Sequence, residues 1–453
     1  MSEEKLRDFE TSLWDPRMKG QRRQMFKILR MYFVLCSAAV WACLSIFWGS
    51  TYLLEHYFPN AKVYVYDFDS TANPNPLLGP AVVQYLRSTL DAPVHMGVII
   101  RDPAGKTFDD VAREIVGEKA WAAVVINANA TSNFREAVAG TGGLLDGRWA
   151  PEGAISLVIS GARWYQVTDD YLLPYLGEQM RTPTQQASRQ AVAQYLSTAT
   201  PATLGGLTQT QQAALSTPFS YQNTDLRPIH PNQWSGAAPQ EAGLIYYVIF
   251  AFHISIFLFF SRMPFLGAMK KQGVRMTWLS TCALRFVPTL PAYVLLSLSY
   301  SLINKAFMIP VDGNGYAKFG PQGGFMIFWR LNLMTLFALG FAMESMITLL
   351  TLKFFPFFLI SWIILNISSS FFPPTFAEKF YHYGYGMPFY HSITGARYIM
   401  YGTRDRLGLN FGVLTAWTVL SVVTTCLYEL MWRRIEERKE RKERAKDVEG
   451  QSS

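Results

Sequence analysis

The sequence predicts an α-helical multi-pass membrane protein, with six transmembrane helices and a large α/β extracytoplasmic domain between helices 1 and 2. Three observations predict it. Half of the 453 residues are hydrophobic and only 16% are charged, against about 25% in a soluble domain. Six segments approach or exceed the roughly 20 apolar residues that a helix needs to cross a bilayer. Lys and Arg cluster at alternate ends of those segments, as orientation by charge requires.

In chain order, residues 1–30 read as a cytoplasmic basic N-terminus carrying Arg17, Lys19, Arg22, Arg23, Lys27 and Arg30. Residues 31–54 are transmembrane helix 1. The run begins only after this charged stretch and is too long for the apolar region of a cleavable signal, so it is expected to remain as a signal anchor. The chain then enters the extracytoplasmic α/β domain, 55–241. "AKVYVYDFD" alternates Val and Tyr as a half-buried strand does, and "HMGVIIRD", "WAAVVINAN" and "GAISLVISG" have the length of buried strands. Helix candidates lie between them: "NPLLGPAVVQYLRSTL", "TFDDVAREIVGEKA" with Thr107 as N-cap, and "SNFREAVAG". Strands alternating with helices favour a sheet with helical cover. The Gln-, Thr-, Ala- and Ser-rich stretch 182–216 reads as a helix followed by a flexible loop. Residues 217–240, with four prolines, read as an extended return to the membrane.

Residues 242–432 form a five-helix transmembrane domain with spans at Ala242–Ser261, Met276–Asn304, Leu331–Leu352, Phe354–Ala377 and Leu407–Tyr428. The connector holding Arg262, Lys270, Lys271 and Arg275, the tight turn at Lys353, and the charged tail 433–453 with "RRIEERKERKERAK" all fall on the side of the N-terminus. Both termini are therefore expected in the cytoplasm. The connector "SRMPFLGAMKKQGVRM" reads either as this topology signal or as a docking place for a partner.

The net charge of +8 sits beside apolar runs. That suits anionic inner-leaflet lipid, and no nucleic-acid-binding motif accompanies it. Cys36, Cys43, Cys282 and Cys426 all fall in apolar runs, without zinc spacing or a disulfide framework. There is no phosphate loop, no G-x-S-x-G and no H-E-x-x-H. No catalytic, cofactor-binding or metal site is predicted, and the chain is not read as an enzyme. His56, His95 and His230 are scattered. Asp67 and Asp69 in "DFD" read as a strand-end turn, a cation site being the other reading. His382 and His391 in "YHYGYGMPFYH" read as part of an interfacial aromatic belt, with metal ligation as the alternative.

Three features carry site expectations. Asn129 in "NAT" is an N-glycosylation sequon in the predicted outer domain, whereas the "NIS" at Asn366 lies inside a span. "MPFYHSITGARYIMYG" is expected to form an interfacial or re-entrant helix beside the last span, from Pro388 to Gly402, including Arg397. Its Phe389, Tyr390, Tyr398 and Tyr401 would lie at headgroup level. Arg285 and Glu344 are the intramembrane charges. Each lies roughly 12–14 Å in from the cytoplasmic end, on consecutive antiparallel helices, so they are expected to pair. The pair reads as a structural staple, as a gate in a substrate path, or as a snorkelling Arg285 alone. Exchanging the two charges is expected to restore in part what either single substitution breaks.

The layout of one span, an outer domain and five spans resembles type-2 ABC exporter permeases and the phage-infection-protein group. "SIFWGSTY", "VYDFD", "PFSYQNTDLRPI", "GLIYYVI" and "GYGMPFYHSITGARYIMYGTRDRLGLNFGVL", in that order and spacing, more closely resemble the fungal nitrosoguanidine-resistance membrane protein family. The resemblance implies export or exclusion of toxic small molecules, or lipid organisation of the membrane. The alternative is a non-transporting regulator or receptor with the outer domain as its binding module. The partners implied are membrane lipid, amphiphilic small molecules and a separate ATPase, without nucleic acid. The resistance theme points to the plasma membrane, other secretory-pathway membranes being the alternative. A dimer is compatible with the chain, which does not dictate its oligomeric state.

Overall fold

A computed structural model describes residues 12–229, 236–313, 315–321 and 323–451. Residues 1–11 of the predicted cytoplasmic N-terminus, His230 and the last two residues of the tail lie outside the described residues.

Helix α1 (Lys19–Thr51) begins well before the predicted span, because the basic segment continues it without a break. Phe33, Val34, Val40, Trp41 and Trp48 are exposed along its length, the surface of a helix suited to an apolar solvent. It touches the rest of the chain through Cys43, whose Sγ is 3.5 Å from Ser361 Oγ, and through the Tyr381 hydroxyl, which donates to the Ile46 carbonyl at 2.9 Å.

The chain then builds an α/β unit. Its elements are β1 (Lys62–Asp67), α2 (Leu78–Ser88), β2 (Gly97–Arg101), α3 (Phe108–Val116), β3 (Ala122–Ile126), α4 (Ala130–Ala139), β4 (Ile155–Ile159), α5 (Leu173–Thr198), α6 (Gln209–Ser216) and β5 (Tyr221–Asp225). The five strands lie in the order β2-β1-β3-β4-β5. Every neighbouring pair is parallel except β3 with β4. The alternation read in β1 separates two layers. Val63 and Val65 pack with Leu78, Val82, Phe134 and Leu176 on one face, and Tyr64 and Tyr66 pack with Val111 and Ile115 of α3 on the other. Thr107 caps α3 in a reciprocal box with Asp110.

Two stretches carry more structure than the sequence announces. The extended return contains β5, an edge strand whose residues are part-buried or exposed, so no apolar run announces it. The flexible loop after α5 includes the capped helix α6, whose Gln211 side chain donates to the Val138 carbonyl at 2.9 Å.

The bundle consists of α7 (Gly243–Lys271), α8 (Trp278–Phe286), α9 (Thr289–Ala306), α10 (Gly324–Ile367), α11 (Pro388–Tyr401) and α12 (Leu407–Gln451). Among the described residues, five helical stretches are long and apolar enough to cross a membrane: Pro16–Thr51, Ala238–Lys271, Trp278–Ala306, Gly324–Ile367 and Leu407–Ala445. The predicted fourth and fifth spans both fall in α10, which is two helices joined at Thr351 (φ 61°, ψ 167°). The fifth is helical only to Ile367, not to Ala377. The Pro373–Pro374 pair that follows cannot supply helical amide donors. One apolar cluster runs from the sheet through Leu54, Phe58 and Trp164 to Tyr247 and Phe389, so the α/β unit and the bundle share a core.

Candidate functional site

Inside the bundle, polar residues recur at helical spacing on buried faces. In α9 they are Thr289, Tyr293, Ser297, Ser301 and Asn304. In α12 they are Asn410, Ser421 and Thr425, a stripe that Glu429 continues one turn on. The inward stripe of α7 passes through Leu244, Val248, Ala251 and Ser255. Seven residues beyond Ser255 it brings Arg262 to the same face.

These stripes assemble a network of four charges. Glu344, wholly buried, places Oε1 2.7 Å from Arg262 Nη2 and 3.0 Å from Arg285 Nη1. Arg285 also donates through Nε to Glu429 Oε1 at 2.9 Å and brings Nη2 within 2.8 Å of the same oxygen. Two guanidinium groups thus face two carboxylates. A lone charge at a helix centre costs about 2.5–3.5 kcal/mol, which is why the charges gather rather than stand apart. The gathering is incomplete. Arg262 Nη2 is held by the ion pair with Glu344, and the Tyr293 hydroxyl faces Ser255, but Arg262 Nη1 and Glu344 Oε2 have no hydrogen-bond partner among the described residues. Each such orphan costs about 1–3 kcal/mol. The Tyr293 ring reaches this region only because position 340 is glycine. A Cβ there would collide with the Tyr293 oxygen.

A second charged group lies at the end of the bundle next to the sheet. Arg397 is 3% exposed; its Nε donates to Gln240 Oε1 at 2.5 Å and its Nη1 to the Arg163 carbonyl at 2.7 Å. Its Nη2 is 3.5 Å from Glu241 Oε1. Gln166 and Tyr165 of the α/β unit donate to the Glu241 carboxylate. Burial pulls the Arg397 guanidinium down, with Glu241 opposing, and burial followed by Glu241 pushes the Tyr165 phenol up. Between the two groups, the Tyr247 hydroxyl donates to the Asn332 carbonyl at 3.2 Å, Asn332 Nδ2 to Ser301 Oγ at 2.9 Å, and Trp329 Nε1 to Ser297 Oγ at 3.1 Å. A line of buried polar groups therefore threads the bundle.

At the opposite end, the connector between α7 and α8 is engaged by the chain's own tail. Lys270 Nζ lies 3.1 Å from Glu436, Arg275 Nη2 2.5 Å from Glu440, and Arg433 donates to the Met276 carbonyl at 2.9 Å.

The sequence-predicted residues fall as follows. Arg285 and Glu344 are in contact, but Arg262, expected in the cytoplasmic connector, is buried against Glu344 because α7 continues to Lys271. Glu429, one residue past the predicted end of the last span at Tyr428, is inside the network because α12 does not stop there. Extending each buried stripe by one further turn is the sequence signal that would have found both. Pro388 opens α11 and Gly402 closes it at φ 60°. Phe389, Tyr390, Tyr398 and Tyr401 are buried by protein, since α11 is enclosed by α10, α12 and the sheet domain. Tyr390 stacks on Trp164 and accepts from Arg406 at 3.2 Å. His391 is buried and donates through Nε2 to the Tyr385 carbonyl at 2.8 Å, while His382 is exposed. Asn129 is exposed at the start of α4, whereas the hydroxyl of Thr131 in the same sequon is buried against Asp69 at 2.7 Å. Asp69 is buried and also accepts from the Thr131 amide and from Asn73, while Asp67 caps the turn Phe68–Ala72. No group of three or more His, Cys, Asp or Glu able to hold a metal occurs among the described residues. Asn366 is buried, and its Oδ1 accepts from the Phe389 amide at the start of α11 at 3.2 Å.

Residues 31–423 match the family described as a protein of unknown function, DUF3533, and the chain belongs to that family. It is 24% identical to an uncharacterized endoplasmic reticulum membrane protein of Saccharomyces cerevisiae, over 90% of this chain and 81% of the relative. No solved structure matches it. Together with its long apolar helices, this makes the chain a multi-pass membrane protein.

Proposed function

We propose that this DUF3533 chain is a permease-like membrane protein of six spans that moves or excludes amphiphilic small molecules or lipids, with the α/β unit on the extracytoplasmic side. The observation that carries the reading is the line of buried polar groups, with an orphaned donor on Arg262 and an orphaned acceptor on Glu344. Ionisable residues in spans are costly and are retained where ions or polar substrates pass. Orphaned buried polar atoms mark places where a water, ion or substrate group would complete the hydrogen bonding. The resemblance to exporter permeases and to the nitrosoguanidine-resistance family agrees with this reading. Without a phosphate loop, the energy for movement comes from a separate ATPase or from a gradient. The name of the yeast relative supports a secretory-pathway membrane, the endoplasmic reticulum first, in place of the plasma membrane.

The test is movement in proteoliposomes. Full-length protein is expected to accelerate transbilayer movement of a fluorescent lipid or amphiphilic drug. Glu344→Gln should abolish that acceleration in the fraction of protein that remains folded. A folded wild-type protein that moves none of a panel of lipids and amphiphiles, with candidate ATPases present, would end the transport reading.

A second reading has its own observation. The α/β unit is keyed into the bundle through buried contacts: Trp164 Nε1 donates to the Phe371 carbonyl at 2.9 Å, and Arg397 reaches back to the Arg163 carbonyl. A regulator that senses a ligand with the α/β unit would convey binding through such contacts. Replacing the α/β unit by a short linker separates the two, because retained resistance in cells would reject the receptor reading.

A further inference from the structure

Four arginines, Arg163, Arg397, Arg404 and Arg406, line one cleft between the α/β unit and the end of α11. The cleft opens to solvent and has a cavity volume of about 80 Å3. The only carboxylate among its lining residues is Glu118, 3.7 Å from Arg406. Arg397 is engaged by Glu241 from behind. Neither Arg163 nor Arg404 has a carboxylate within ion-pair distance among the described residues. Four guanidinium groups thus share two carboxylates, and two positive charges are left over.

The arginines are also held in place. Arg163 lies 3.6 Å over the Trp121 ring and donates Nη1 to the Ala120 carbonyl at 2.7 Å. Arg397 lies 4.1 Å over Trp164, which stacks on Tyr390. Rings of this kind fix the plane of a guanidinium fork before a ligand arrives, so less side-chain freedom is lost on binding. Burial pulls the Arg163 guanidinium down to about 10, with Glu118 and Tyr390 raising it and the like charges of Arg406 and Arg404 lowering it. An anion in the cleft would oppose that lowering.

We propose that this cleft is a binding site for a phosphate group, presented either by a lipid headgroup or by a soluble phosphate. Planar, fixed guanidinium forks recognise the tetrahedral oxyanion through paired charge-assisted hydrogen bonds. The two spare positive charges match a phosphate, and the position at the junction of bundle and α/β unit admits ligands from the interface or from solution. The site requires no transport and stands independently of the permease reading.

The test uses the full-length protein in two arms. In one, detergent-purified protein is titrated with inorganic phosphate and followed by tryptophan fluorescence, since Trp121 and Trp164 lie at the cleft. In the other, nanodiscs of phosphatidylcholine with and without phosphatidic acid are compared by native mass spectrometry for retained lipid. The exposed Arg404 and the partly exposed Arg406 permit a double variant, R404Q/R406Q, which should weaken binding roughly tenfold or more. Arg163→Lys, which keeps the charge but loses the fork, should also weaken it. Arg189→Gln, on α5 and outside the cleft, should not. Binding in the lipid arm alone supports the site with a headgroup as ligand. Binding in the phosphate arm alone supports it with a soluble ligand. No binding in either arm, or binding indifferent to both cleft variants, overturns it.

Discussion

Glu344→Gln is the sharpest probe of the buried network. The carboxylate holds Arg262 at 2.7 Å and Arg285 at 3.0 Å and is itself fully buried. After substitution Arg285 retains Glu429, but Arg262, whose side chain is 7% exposed, has no other carboxylate in ion-pair contact among the described residues. Removing one partner of a buried pair costs about 3–5 kcal/mol, chiefly as the penalty of the stranded charge. Glu429→Gln should cost less, about 1.5–3 kcal/mol, because Glu429 is 14% exposed and Arg285 keeps Glu344. The joint replacement Arg262→Met with Glu344→Met should recover most of the loss, since an apolar pair of similar volume often matches a buried ion pair. Equilibrium unfolding in mixed micelles measures all of these as a double-mutant cycle. A Glu344→Gln cost no greater than that of Glu178→Gln at an exposed site, or strictly additive Met substitutions, would refute the coupling. The network also reverses one expectation. Exchanging Arg285 and Glu344 would set an arginine at 344 against Arg262 and a glutamate at 285 against Glu429. The exchange should therefore be at least as damaging as either single change, where an isolated pair would have been restored.

Four further outcomes are expected. Gly340→Ala should displace the Tyr293 ring and cost about 1–3 kcal/mol, read in the same unfolding assay; an unchanged value would mean the ring is not confined. Thr351→Gly should stabilise by about 1 kcal/mol or more, because a β-branched residue is strained at φ 61°, and destabilisation would argue against the break at that residue. Asn366→Ala should cost about 1–3 kcal/mol by orphaning the Phe389 amide, with protease sensitivity near α11 as the second readout. Asp110 is lowered from 3.8 to about 2, first by the Thr107 amide, then by the Thr107 hydroxyl and Arg113. Because the folded value is depressed, its stabilisation is complete above 3.8 and is lost as the pH falls toward 2, and Asp110→Asn should remove that part of the acid dependence.

Much was legible in the sequence because local periodicity and end signals carry it. Runs of apolar residues marked every membrane-type helix, alternation marked β1, and buried-strand runs marked β2, β3 and β4. Thr107 marked the start of α3, and Pro388 and Gly402 marked the ends of α11. Equal depth on antiparallel helices placed Arg285 and Glu344 at one level. These features depend on spacing along one chain segment and on the geometry of a single helix or strand. What only the tertiary structure decided depends on how helices turn about their axes when packed. It brought Arg262 inward to share Glu344 and Glu429 across to share Arg285. It joined Arg397 to Glu241, and it enclosed α11 and its aromatic rings in protein. Strand β5 belongs here too, since an edge strand is held by its neighbour's backbone and needs no apolar pattern of its own. A charge advertises its cost wherever it stands in a sequence, but its partner lies on another element, and only packing brings the two together.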